Sequence, residues 1–134
     1  MKFMEMSDSD LVHIEKIDNQ HKSLSDEVNI IYDSVIACDK KKTLKLLNEL
    51  IDHLDEHFKT EEKMMKDSTY PGYISHKLEH DRFYHQMKRT TEKYSSGKDN
   101  YGLEHLKSIK RWFFNHIEIN DKKCGEYFVK GYIN

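Results

Sequence analysis

The chain is short of everything that interrupts a helix. It has one proline, Pro71, and five glycines in 134 residues. The glycines fall in or near the inferred turns or in the tail, so long helices are expected. Cysteine is scarce too. Cys38 and Cys124 stand at no metal-ligand spacing and are expected to be free thiols in a reducing compartment. Apolar runs extend only a few residues, too short for a membrane span, and residues 1–10 lack the basic leader and apolar core of a signal peptide. A surplus of one charge is also missing: charged residues make up 34%, yet the formal net charge is −2. No broad basic field is available for nucleic acid or anionic lipid. These absences lead to the expectation of a soluble, cytoplasmic protein with neither nucleic acid nor membrane as a partner. One domain over residues 1–134 accommodates the length, burying about two thirds of its unfolded surface.

Apolar residues recur at spacings of three and four. Residues 1–17 show no sustained period but enough apolar side chains to form an ordered arm. A first helix over 18–38 places His21, Leu24, Val28, Ile31 and Val35 on one stripe. After a break at 39–42, a second helix over 43–65 carries Leu47, Leu50, Leu54, His57, Glu61 and Met64. A third, starting near Pro71 as a first-turn proline, carries Tyr73, His76, His80, Phe83, Met87 and Tyr94. A polar loop over 95–100 precedes a fourth helix over 101–119 with Leu106, Ile109, Phe113 and His116. The segment 120–134, with Tyr127, Phe128 and Tyr132, is expected to pack as a short aromatic half-helix. Helices this long on short connections give an all-α, up-down-up-down antiparallel four-helix bundle over 18–119.

Nine histidines are the compositional excess, and their placement is informative. His21, His57, His76, His80 and His116 each take a position that the surrounding pattern assigns to the core, and so does Glu61. Residues four apart share a helix face, so His57 with Glu61 and His76 with His80 form two pairs aimed inward from consecutive helices. Leaving so many polar groups buried and unpaired costs roughly 1 to 3 kcal/mol for each. A metal removes that penalty, because neutral imidazole and carboxylate are ordinary metal ligands. One such pair occurs by chance in many helical proteins; the whole set on the stripes does not. His13, His85 and His105 fall off the stripes and are expected in solvent, while His53, one turn before His57, could support the site from outside.

The segments I-D-N-Q-H-K (17–22), H-x-x-x-E (57–61), H-x-x-x-H (76–80) and W-F-F-N-H-I-E-I-N-D (112–121) together resemble the hemerythrins, in their single-domain bacterial form. The resemblance covers nearly the whole chain. It implies two iron ions: one held by His76, His80 and His116, the other by His21 and His57, with Glu61, Asp121 and a solvent-derived oxo or hydroxo group bridging them. It adds Asp121, which from the residues alone reads equally as a helix-end carboxylate. Asp121 follows His116 by five residues, an advance of about 140° on a regular helix, so the helix must end or bulge between Ile117 and Asp121. The two-histidine iron would be five-coordinate and would take dioxygen in a pocket lined by Leu24, Trp112, Phe113 and Ile117. Two departures from the family's usual residues, Met6 in the arm and Phe113 before the ligand of the fourth helix, are expected to touch that pocket or its access.

The resemblance implies a non-haem di-iron protein, expected not to be an enzyme, that binds dioxygen reversibly for storage, delivery, scavenging or sensing. The partner such a role implies, besides dioxygen, is a reductant or an oxygen-consuming protein. An alternative is a di-iron enzyme that turns over a small oxidant such as peroxide or nitric oxide. H-x-x-E-H also occurs at 53–57 and 76–80, the zinc-peptidase arrangement, although neither copy has an obvious third ligand and cleft of its own.

Overall fold

A computed structural model describes residues 2–131, of which 2–14 form an arm with one short 3-10 turn, Asp8–Asp10, and the rest is helical apart from its turns. The helices are α1 (Glu15–Ile36), α2 (Lys40–Asp67), α3 (Tyr73–Ser95), α4 (Leu103–His116) and α5 (Lys122–Gly131). The first four form the expected antiparallel up-down-up-down bundle. α1 packs on α2, α2 on α3 and α4 on α1, while α5 leans on α2. Among the described residues no helix is long and apolar enough to cross a membrane.

The ends of the helices have local causes. Residues 39–42, expected as a break, instead open α2: the Asp39 carboxylate accepts the Lys42 N–H at 3.1 Å and caps the first turn. Cys38, at φ 55°, reverses the chain just before it. Pro71 lies in the turn rather than in the first turn of α3, whose capping residue is Gly72. Gly97, at φ 78°, sits in the expected 95–100 loop, in a conformation that favours glycine.

The core follows the stripes closely, with Ile31, Leu47 and Leu106 wholly buried. Val35, Met64, Tyr73 and Tyr94 are only half-buried, and Met65 takes the interior position at the end of α2. The reason is α5, which covers that end so that Met65 packs with Cys124 and Phe128. Tyr127 ties α5 down by donating its hydroxyl to the Ser68 carbonyl at 3.0 Å. The half-helix expected over 120–134 is present as α5, which continues from α4 through a π turn, Ile117–Asp121; Tyr132 lies outside the described residues.

The N-terminal arm is ordered as expected. The Met4 N–H donates to Asn29 Oδ1 at 2.7 Å, the Asn29 amide donates back to the Met4 carbonyl at 2.9 Å, and Phe3 stacks on Tyr32 at 4.9 Å. Asp18, buried at the start of α1, accepts the Val12 and His13 N–H groups at 2.8 and 3.1 Å. α5 approaches this arm so closely that a Cβ on Gly125 would stand 2.9 Å from the Val12 carbonyl oxygen.

Candidate metal centre

All seven side chains singled out as ligands converge in the middle of the bundle, each at most 4% exposed. They form two sets of mutually close donor atoms. Glu61, His76, His80, His116 and Asp121 make one; His21, His57, Glu61 and Asp121 make the other. The carboxylates belong to both. Asp121 directs Oδ1 to His76 Nε2 and His116 Nε2, each at 3.0 Å, and Oδ2 to His21 Nε2 at 3.1 Å. Glu61 Oε1 stands 3.1 Å from His80 Nε2 and 3.5 Å from His57 Nε2.

The π turn is what brings Asp121 into the set. A π turn closes its hydrogen bond at i+5, so His116 and Asp121 come onto one face, and the Lys122 N–H indeed reaches the Ile117 carbonyl. This is the bulge that the five-residue spacing required.

Hydrogen bonds on the outer side of the rings decide which nitrogen faces inward. His80 Nδ1 meets Glu62 Oε2 at 2.9 Å and His116 Nδ1 meets Glu79 Oε2 at 3.1 Å. An ionised carboxylate only accepts, so each Nδ1 is the donor, and in the neutral imidazole that a metal binds each Nε2 presents a bare lone pair. Yet His80 Nε2 and His116 Nε2 face each other at 3.0 Å. Two acceptors held that close repel unless a cation lies between them. The spacing fits one: two nitrogens each about 2.1 Å from an ion are about 3.0 Å apart when they subtend a right angle, as neighbouring ligands of an octahedral ion do. Glu61 Oε1, His76 Nε2 and both Asp121 oxygens are buried without a hydrogen bond of sound geometry, although the ring nitrogens named above lie close to them. Lone pairs turned on a common point produce that combination, and the donor set therefore fits a pair of metal ions.

The electrostatics are those of a site that cations balance. Burial favours the neutral form of Glu61, and Asp121 adds to that, but His57, His76 and His80 outweigh both and hold its carboxyl down at about 2. Asp121 is likewise held well below the usual carboxylate range: burial opposes this, and His116, His21 and His76 overcome it. Burial pushes His57 down to about 4. For His76 burial is outweighed by Asp121, Cys124 and Glu61, which raise it to about 12.

Beside the two-histidine set lies a cavity of about 10 Å³ lined by His21, Leu24, Leu54, His57, Phe58, Trp112, Phe113, His116, Ile117 and Asp121. It includes all four residues expected to line a ligand pocket and touches neither His76 nor His80. Met6 is not among them; it borders a separate groove with Lys22, Ser25 and Asp26, because the arm crosses the outer side of α1. His53 does not support the site. Its ring is half-exposed and turns to Glu27 at 2.5 Å. Glu79, the glutamate of the second H-x-x-E-H, lies behind His116, so that copy lacks the peptidase arrangement, and the first lacks it because His53 turns away to Glu27. His13 and His85 are exposed, while His105 is half-buried and stacks on Tyr101 at 4.5 Å.

The outer partners Gln20, Glu62, Glu79 and Asn120 escape a reading of stripes. Three of them follow a rule nonetheless. Gln20 adjoins His21 and holds His57; Glu62 adjoins Glu61 and holds His80; Glu79 adjoins His80 and holds His116. Each of α1, α2 and α3 carries a candidate ligand and, beside it, the partner for a histidine on the next helix.

Comparison with known proteins agrees with this architecture. The Hemerythrin HHE cation binding domain matches residues 12–127. The chain is 32% identical over 108 residues to the bacteriohemerythrin of Methylococcus capsulatus, covering 81% of this chain and 82% of the relative. It is 36% identical over 112 residues to the myohemerythrin of Theromyzon tessulatum, covering 84% and 82%. A solved wild-type hemerythrin superposes with a TM-score of 0.90 at 28% identity, over 94% of this chain and 98% of that one. This chain belongs to the hemerythrin family. Members of that family are known for a di-iron centre that binds oxygen, and as a rule they are not enzymes.

Proposed function

We propose that this protein holds two iron ions and binds dioxygen reversibly at the ion carried by His21 and His57, with residues 1–134 acting as one domain in the cytoplasm. His76, His80 and His116 hold the other ion, and Glu61 and Asp121 bridge the pair. When bound, the two ferrous ions supply two electrons to dioxygen, one from each. The residues around them decide whether the gas leaves intact.

The observation that carries this reading is the position and lining of the small cavity. A space of about 10 Å³ is near the minimum for one water-sized guest, so the bundle admits a diatomic molecule and little else. It meets both histidines of the two-histidine set and, of the other three, only His116; the two-histidine set offers one imidazole fewer, so an ion held there would have room for the gas. Apart from His21, His57, His116 and Asp121, every lining side chain is hydrophobic: Leu24, Leu54, Phe58, Trp112, Phe113 and Ile117. Those walls exclude water and offer no general acid, which disfavours cleavage of a bound dioxygen.

The test is the visible absorption of the reduced, iron-loaded protein before and after admission of air. A band that grows in air and fades when oxygen is removed supports reversible binding. Catalytic consumption of oxygen, peroxide or nitric oxide in the presence of a reductant, with no reversible band, would replace this reading by the enzymatic one.

A further inference from the structure

The outer hydrogen bonds of the centre are not chemically alike on its two sides. His80 and His116 each rest on a carboxylate, Glu62 and Glu79. His57 rests on a neutral amide: its Nδ1 lies 2.6 Å from Gln20 Oε1. The orientation of that amide is determined by its other partners. The Thr60 hydroxyl donates to the Glu56 carbonyl at 2.9 Å, so it is free to accept from Gln20 Nε2 at 3.3 Å. This leaves the Gln20 oxygen for the His57 N–H. His21, the other ligand on that side, has no hydrogen-bond acceptor for its buried Nδ1 among the described residues.

An imidazole whose N–H donates to a carboxylate becomes a stronger electron donor to its metal than one donating to an amide. Resting on the di-iron reading above, we propose that Gln20 acts as a positioning and potential-setting residue, keeping the two-histidine ion relatively electron-poor and its ferrous state favoured, while Glu62 and Glu79 make the three-histidine ion the easier one to oxidise. The step concerned is the loss of one electron by a ferrous ion to give ferric, with no proton or ligand transferred. In air the electron goes to dioxygen; at an electrode it goes to the mediator. A neutral partner at Gln20 thereby slows the irreversible loss of electrons from the ion that meets the gas.

The variant Gln20→Glu places a carboxylate behind His57 with almost no change of shape, and Gln20 borders an open groove between α1 and α2 that can accommodate the charge. The iron-loaded wild type, Gln20→Glu and Glu79→Gln would be titrated by anaerobic spectroelectrochemistry, with iron per chain measured on the same samples. Gln20→Glu should lower the midpoint by about 59 mV, a tenfold bias toward ferric for a one-electron couple, and should hasten oxidation in air by a similar factor. Glu79→Gln should raise it. Opposite shifts separate electronic tuning from simple loosening, which would move both variants the same way. Unchanged midpoints, or shifts of one sign, would overturn the inference while leaving the oxygen-binding reading intact. Loss of iron uptake in Gln20→Glu would likewise overturn the inference, because a partner that only sets the potential of the ion does not abolish its binding. Failure of the underlying reading looks different, because the wild type itself would then take up no iron.

Discussion

Asp121 and Glu61 show how few side chains define this centre. Each carboxylate faces histidines from different helices, so neutralising either one should disturb both ion sites at once. Phe113 has a more specific role. It is 6% exposed, stands edge-on to His21 at 5.6 Å and lines the cavity. Phe113→Leu removes part of that wall, and oxygen release or oxidation in air should change in rate; unaltered kinetics would remove Phe113 from the pocket. Asp18 acts on the scaffold instead. Its buried carboxylate holds two arm N–H groups, so Asp18→Ala should cost about 1 to 3 kcal/mol in denaturant unfolding and leave the iron stoichiometry unchanged. Six of the seven candidate ligands were legible from the residues because ionisable side chains on an apolar stripe violate burial preferences, whereas Asp121 came only with the family resemblance. Gln20, Glu62 and Glu79 were not, because each sits one residue off the stripe, where a polar side chain looks like ordinary surface.

At the level of elements, the π turn decides whether α4 can supply two ligands. With Asp121 taken as a ligand on the family resemblance, its five-residue spacing from His116 requires that regular helix not continue, and a single-turn bulge meets that need. Deleting the exposed Ile119 makes the two residues an (i, i+4) pair on an ordinary helix, and metal binding should survive. Inserting an alanine after Ile119 carries Asp121 a further 100° or so around the helix, and iron content should fall sharply while circular dichroism stays helical. An insertion variant that retains two irons would show that Asp121 is dispensable. Other element features lay beyond the sequence reading. α2 begins earlier than its apolar period because Asp39 caps it, and Met65 replaces Met64 inside because α5 covers that end of the bundle.

For the whole molecule, the interior cluster couples stability to protons and metal. With chelator present, His57, pushed down to about 4 by burial from its ordinary 6.5, binds protons more readily in the unfolded chain. Its share of stability is full above 6.5 and is lost as pH falls toward 4. His76, raised to about 12, behaves oppositely: its share is full below 6.5 and declines as pH rises. The chelated protein should therefore be most stable near neutrality, and a Tm that stays level between about pH 5 and 9 would contradict that coupling. Metal removes the conflict by occupying the lone pairs that otherwise compete for protons, and should raise Tm wherever it binds. The bundle itself was visible in the spacing of apolar residues; the continuity of α4 with α5 was not, since a bulged helix and a terminated one have the same local composition.

The most direct measurement is an anaerobic titration of the chelated protein with ferrous salt, monitored by the quenching of Trp112, the only tryptophan, whose ring stacks on His116 at 4.5 Å. Saturation at two irons per chain, with His116→Ala and His21→Ala each falling short of two, is the expected result. Saturation at one iron or none in the wild type would contradict the dinuclear centre.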